Sequence, residues 1–179
     1  MTERCFITHS STDARGFATR LTDALEDGHP SIPVWLDQRD IRRGIDLDLQ
    51  IDDALKACRL VLYLMTPDSI IPTSICWQEC SRALSYRKTV IPLLMKENVP
   101  TPSRLRDRQK IDFTDGFDLG VARLREHLAW METPAGALQN LKDRLADTEH
   151  DLHGVQAAEY ARIWGEIEAL KKQIERQKK

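Results

Sequence analysis

Over its first 130 residues the chain alternates short apolar runs with stretches whose apolar residues recur every third or fourth position. That alternation restricts the fold more than any other feature, because a period near two and a period near 3.6 cannot share one element. Residues 4–8 read as a strand, and Phe17, Leu21 and Leu25 mark one face of the helix after it. The run Ile32–Leu36 is the second strand, and Pro33 within it has no N–H to give to a ladder, which suits a sheet edge. A helix with Leu47, Ile51, Leu55 and Cys58 on one face follows. Next come a strand over residues 60–65, a helix over residues 73–86, a strand over residues 89–94, a weak strand near residues 111–113 and a helix over residues 119–130. Residues 96–108 carry two prolines and no helical period, which predicts an irregular loop or a single turn.

Strands alternating with helices predict an α/β fold, a parallel sheet covered by helices on both faces. The flavodoxin-like five-stranded order 2-1-3-4-5 puts the second strand at an edge, where Pro33 is tolerated. Beyond Thr133 and Pro134, a good helix start, the composition changes. Leu138, Leu141, Leu145, Leu152 and Val155 step at helical spacing, as do Ile163, Ile167, Leu170 and Ile174, with Gly154 and residues 156–159 between the two sets. Eight Lys and Arg offset eight Asp and Glu over residues 133–179, as on solvated helical faces. The chain therefore divides into an α/β domain over residues 1–132 and a C-terminal helical segment over residues 133–179, a helical hairpin or a short coiled-coil connector. Its last residues, Glu175 to Lys179, hold no helix stop, as in the front part of a longer protein.

Composition narrows the partners. At 179 residues the chain holds one ordinary core and an appendage. With 26 basic against 28 acidic side chains, a net charge of −2 gives no field that recruits nucleic acid. No apolar stretch approaches the ~20 residues of a membrane span, and the N-terminus lacks the apolar core of a signal peptide, so a soluble cytoplasmic protein is expected. The four cysteines, Cys5, Cys58, Cys76 and Cys80, form no Cys-x-x-Cys pair and have no histidine at ligand spacing, which argues against a metal. Cys76 and Cys80 stand one helical turn apart beside Glu79, an arrangement open to redox chemistry but more ordinary as packing.

Glu79 is the residue with the strongest claim to chemistry. It lies in the helix that follows the third strand and its turn, Leu60–Ser69, and open α/β sheets place ligands beyond the carboxyl ends of their strands. A lone glutamate on a helix is otherwise most often a solvated surface residue. Three further segments fall into the same frame: Phe6–Asp13, a strand entering a polar loop; Trp35–Gly44, a strand entering a charged loop ended by glycine; and Leu64–Ser69. With Ser74–Glu79, Ala83, Leu84 and Val90–Leu94, this set resembles, in order and spacing, a TIR (Toll/interleukin-1 receptor) domain of bacterial type over residues 1 to about 130.

The resemblance implies a mobile loop over residues 39–46 that governs self-association and access to a pocket. It also points to the branch of the family that cleaves the nicotinamide–ribose bond of NAD, with Glu79 in the place of the catalytic glutamate. Those enzymes commonly carry Trp four residues before the glutamate; this chain has Ile75 there and Trp77 two residues before it. Asp13 and Asp37 occupy places usual in the family after the first and second strands, where capping and loop ordering are their expected tasks.

Cleaving that bond leaves an oxocarbenium-like ribose, which a fixed carboxylate favours over the ground state. Nicotinamide leaves neutral, so no general acid is required. NAD is then substrate and no cofactor is needed. Donors for its pyrophosphate are sought among Ser10, Ser11, Ser69, Arg39, Arg42 and Arg43, whose ordinary tasks would be capping and protein contacts. His9 and Cys76 are further candidates for substrate contact, with structural roles as the ordinary alternative, and Trp35 is either packing or a face for adenine or a neighbouring subunit. The expected partners are NAD, other TIR domains in a homo-oligomer and a downstream sensor domain, in a setting of bacterial defence or cell death. The rival reading is a non-catalytic adaptor working by homotypic contacts. A nucleotide-processing enzyme of related shape, using a strand-end glutamate on another N-ribosyl bond, is a third.

Overall fold

The computed structural model describes residues 4–36, 46–152 and 157–178. Its strands are β1 (Cys5–Thr8), β2 (Val34–Leu36), β3 (Leu60–Met65), β4 (Thr89–Leu94) and β5 (Ile111–Asp112). They form one five-stranded sheet in the order β2-β1-β3-β4-β5, every pair parallel. The order is the one the alternation predicts, and β2 takes the edge; the carbonyl of Pro33 still accepts from Cys5 N at 2.8 Å. The observed β2 starts one residue after Pro33, so the proline ends the pairing rather than interrupting it.

The central strand β3 is buried at every position, as a parallel strand covered on both faces must be. Phe6, Val61, Tyr63 and Met65 project to one face of the sheet and form a core with Ile51, Leu55, Cys80, Ala83, Leu84 and Leu105. Each large apolar side chain fully buried here contributes about 1.5–3 kcal/mol relative to exposure.

Helix α1 (Arg15–Glu26) follows β1, α2 (Leu47–Ala57) precedes β3, and α3 (Ile75–Ser85) joins β3 to β4. In α1, Leu21 and Leu25 are fully buried, while Phe17 meets Phe113 and Phe117 edge-on with centroids 5.2 Å apart in both cases. Asp13 does not cap α1; its carboxylate lies 3.7 Å from Lys96 Nζ. At the start of α2, Asp46 accepts from Leu49 N at 3.1 Å. At its end, Lys88 Nζ donates to the carbonyls of Lys56 and Cys58 at 2.6 and 2.9 Å, where a cation suits the exposed C-terminal carbonyls. Ile51, Leu55 and Cys58 bury their stripe as predicted, but Leu47, the first residue of α2, is 52% exposed.

Residues 103–105 form the single turn expected between β4 and β5. Helix α4 (Phe117–Met131) lies so near Phe113 that a Cβ on Gly120 would stand 2.1 Å from that ring, so only glycine fits there.

The chain separates into two compact units, residues 1–124 and 125–179. In the second, Thr133 Oγ1 accepts from Gly136 N at 3.2 Å to start α5 (Pro134–Asp151), with Pro134 in its first turn. Helix α6 (Ala157–Gln177) packs on α5 through Leu141, Leu170 and Ile174, flanked by Leu138 and Leu145. Gly154 lies outside the described residues, and α6 starts at Ala157, so Ala157 to Glu159 of the stretch expected to break the helix lie within it. Among the described residues no helix is long and apolar enough to cross a membrane.

Candidate functional site

All five strands point their carboxyl ends to one edge of the sheet, and α3 begins just beyond that edge. Its position is set by a tightly bonded turn. Thr66 and Ser69 close on each other through Thr66 N to Ser69 Oγ at 2.8 Å and Ser69 N to Thr66 Oγ1 at 3.2 Å. The Ser69 carbonyl accepts from Tyr63 Oη and from Ser74 Oγ, both at 2.7 Å. Ser74 Oγ in turn accepts from Trp77 N at 3.1 Å as the N-cap of α3. The turn ties the end of β3 to the start of the helix and fixes the rotation of α3 about its axis.

That rotation turns Cys76, Cys80, Ala83 and Leu84 into the core and carries Glu79 to the end of β1. Glu79 is only 7% exposed, and Thr8 Oγ1 donates to its Oε2 at 2.6 Å. The same hydroxyl stands 3.5 Å from the carbonyl of Cys76. Glu79 is thus a buried, oriented acid on the wall of a cleft, not a solvated surface residue. The cleft has a volume of about 430 Å³ and lies between α2 and α3. Asp46, Leu47, Asp48 and Ile51 line it from α2 and its cap, and Ile75, Gln78, Glu79 and Arg82 from α3. Ile75, at the position where the resemblance implies a tryptophan, is 69% exposed, and Trp77 points away, into the core beside Tyr63 at a centroid distance of 6.2 Å.

Other residues singled out in the sequence lie elsewhere. Ser10 is buried and donates to Asp68 Oδ2 at 2.6 Å while accepting from Thr12 N at 3.0 Å, so its hydroxyl ties the loop after β1 to the turn after β3. Ser69 is fully buried in the turn described above and does not line the cleft. Trp35 stacks on Phe6 with centroids 4.7 Å apart and planes 13° from parallel, as expected for two residues paired across β1 and β2. His9 is buried at the end of β1, and Ser11 is exposed in the loop beyond it. Arg39, Arg42, Arg43 and Asp37 lie outside the described residues.

Cys76 lies against the site but is a thiol there. Burial, followed by the nearby Glu79 carboxylate, pushes its pKa up to about 12. A thiolate nucleophile or redox couple would need the opposite shift.

Thr8, which bonds Glu79, and Arg82, which lines the cleft, are two site residues outside the sequence motifs. Thr8 shows no signal without the register that sets β1 beside β3. Arg82 has one, since residues three apart share a helix face, so Arg82 stands beside Glu79. Its Nη2 lies 3.4 Å from Asp48 Oδ1 and its Nη1 3.8 Å from Asp52 Oδ1. Asp52 is held more closely by Lys56, at 2.5 Å, and by the hydroxyl of Tyr86. The hydrogen bond from Lys56 is the main reason its carboxyl is held below the usual aspartate range.

The fold is similar to that of solved TIR domains. The TIR domain of the Toll-related receptor TRR-2 from Hydra magnipapillata superposes with a TM-score of 0.59 at 22% identity, covering 72% of this chain and 98% of that one. The TIR domains of the activated Roq1 resistosome, which directly recognises the pathogen effector XopQ, superpose with a TM-score of 0.50 at 16% identity, covering 96% of this chain and 99% of that one. No curated protein matches the chain. The family model for the TIR domain matches residues 5–125, and the chain belongs to that family.

Proposed function

We propose that this TIR domain cleaves the nicotinamide–ribose bond of NAD, releasing nicotinamide and ADP-ribose or a cyclic form of it. One observation carries the reading: a carboxylate that is almost wholly buried, oriented by a threonine hydroxyl at 2.6 Å, and set on the wall of a cleft at the carboxyl edge of a parallel sheet. Burying a carboxylate costs several kcal/mol unless it is well bonded, so such a placement needs a reason beyond packing. Glu79 meets the ribose as positive charge develops on it, and the low-dielectric wall makes that interaction stronger than it would be in water. No proton donor is asked of the cleft, because nicotinamide leaves without one.

Self-association completes the reading. Leu47 and Ile75 are exposed at the cleft mouth, 52% and 69%, and a neighbouring copy would cover apolar surface that water now meets. The Roq1 neighbour is an activated resistosome that recognises a pathogen effector, which supports activation by assembly in a defence response.

The test is incubation of concentrated protein with NAD, reading nicotinamide release against protein concentration. Rate per molecule should rise with concentration. Glu79→Gln keeps the volume and deletes the charge, and should lower the rate on the order of 10²–10³-fold with the fold intact by circular dichroism. Equal turnover by the variant would falsify the catalytic reading. The exposed Ile75, where the catalytic branch commonly has Trp, favours a second reading, a TIR scaffold that assembles without turnover. Concentration-dependent assembly with no nicotinamide released would establish it.

A further inference from the structure

Glu79 supplies a negative charge, yet any nucleotide brought to it carries phosphates, and a second carboxylate-rich wall would repel them. The cleft has acids on both sides: Asp46 and Asp48 on α2, Glu79 on α3. Among its described lining residues the one cation is Arg82, three residues beyond Glu79 and so ~4.5 Å further along the helix axis. Its side chain is 30% exposed, part inside and part open to the mouth.

The guanidinium is weakly held. It has five N–H donors, and it makes one hydrogen bond among the described residues, to Asp48 at 3.4 Å, near the limit of such a bond. Asp48 is itself 82% exposed, so water and salt screen the pair. Asp52 stands at 3.8 Å and is occupied by Lys56 and Tyr86. An arginine committed to structure would be clamped in a short, two-pronged pair, whereas among the described residues most of this fork is left for another anion.

We propose that Arg82 is the phosphate-binding residue of the cleft: it takes the pyrophosphate of a dinucleotide in place of Asp48, which is the counter-ion the substrate displaces. For the reaction this rests on the NAD-cleaving reading above. Arg82 touches a part of the substrate that does not react, so it sets where the ribose lies against Glu79 and how tightly the dinucleotide is held.

The experiment compares wild type with Arg82→Gln, Arg82→Lys and Asp48→Asn, measuring KM and kcat for NAD and, separately, calorimetric binding of inorganic pyrophosphate. Arg82→Gln should raise KM for NAD and weaken pyrophosphate binding by about tenfold or more, with kcat within about twofold, because bonds to a charged group are lost from bound states alike. Arg82→Lys, which keeps the charge and loses the fork, should fall between. Asp48→Asn should bind pyrophosphate more tightly than wild type, having no carboxylate to displace. A KM and a pyrophosphate affinity that match wild type in Arg82→Gln overturn the proposal, as does a fall in kcat alone. Should Arg82→Gln fail to fold, Asp48→Asn decides, and an affinity no tighter than wild type overturns the proposal. Wild type that binds pyrophosphate through Arg82 but leaves NAD uncut would keep the anion site and remove the glycosidase reading. Wild type that binds no pyrophosphate removes the anion site whatever its activity.

Discussion

Thr8 and Glu79 each supply what the other lacks: the carboxylate gains a fixed direction, and a hydroxyl that is 1% exposed gains an acceptor. Thr8→Val keeps the shape and removes the donor. The variant should cut NAD on the order of tenfold more slowly and lose about 1–3 kcal/mol of stability, by kinetics and urea titration, since a buried charged acceptor loses a partner. Thr8→Ser should recover most of both, and a Val variant equal to wild type would make the bond incidental. The cysteines are buried thiols, Cys5 and Cys58 at the amino ends of β1 and β3 and Cys76 against the site. Burial pushes Cys5 and Cys58 up to about 11 and Cys76 up to about 12, so at pH 8 these thiols stay protonated. Native protein should take up no iodoacetamide at the three within an hour, whereas urea-unfolded protein should be labelled fully, by intact mass. At this scale Glu79 was legible because a position after a strand is a statement about local order in the chain. Its partner was not, because Thr8 is brought to it by strand register, and two serines read as ligand donors spend their hydroxyls inside the protein, Ser69 on its own turn and Ser10 on Asp68.

Among the elements, α3 carries the site, and its placement depends on a side chain that faces two ways. Ser74 Oγ accepts from Trp77 N and donates to the Ser69 carbonyl, so it both starts the helix and fastens it to the turn after β3. Ser74→Ala should cost about 1–2 kcal/mol in thermal or urea unfolding and should lower activity by more than stability alone accounts for, since Glu79 loses its rotational setting. An activity equal to wild type at a temperature where the variant is fully folded would show that packing alone orients α3. Strand and helix order could be read in advance because buried parallel strands and amphipathic helices have different periods. The bounds of β2 and the exposure of Leu47 could not, because both depend on which neighbours the tertiary fold sets beside them.

For the molecule as a whole, the division after residue 124 falls within α4, so a fragment of residues 1–132 keeps that helix entire. It should be folded and monomeric by circular dichroism and gel filtration, with any lost activity restored by forced dimerisation, as expected if the tail only raises local concentration. An aggregated fragment would mean that the tail is integral to the α/β domain. The change of composition at Thr133 announced a second segment, but the helix that bridges the two units shows no break in its own period. The separation of Thr8 from Glu79, 71 residues, carries a last consequence, which concerns synthesis. The pair meets only when β1 lies beside β3 and α3 has been laid across their ends, and such distant pairings form late because a long loop must close first. A chain still emerging from the ribosome therefore has no oriented carboxylate, and a chain truncated before α3 never will. The oriented carboxylate, and with it any activity that rests on Glu79, is withheld by topology until most of the domain has been made.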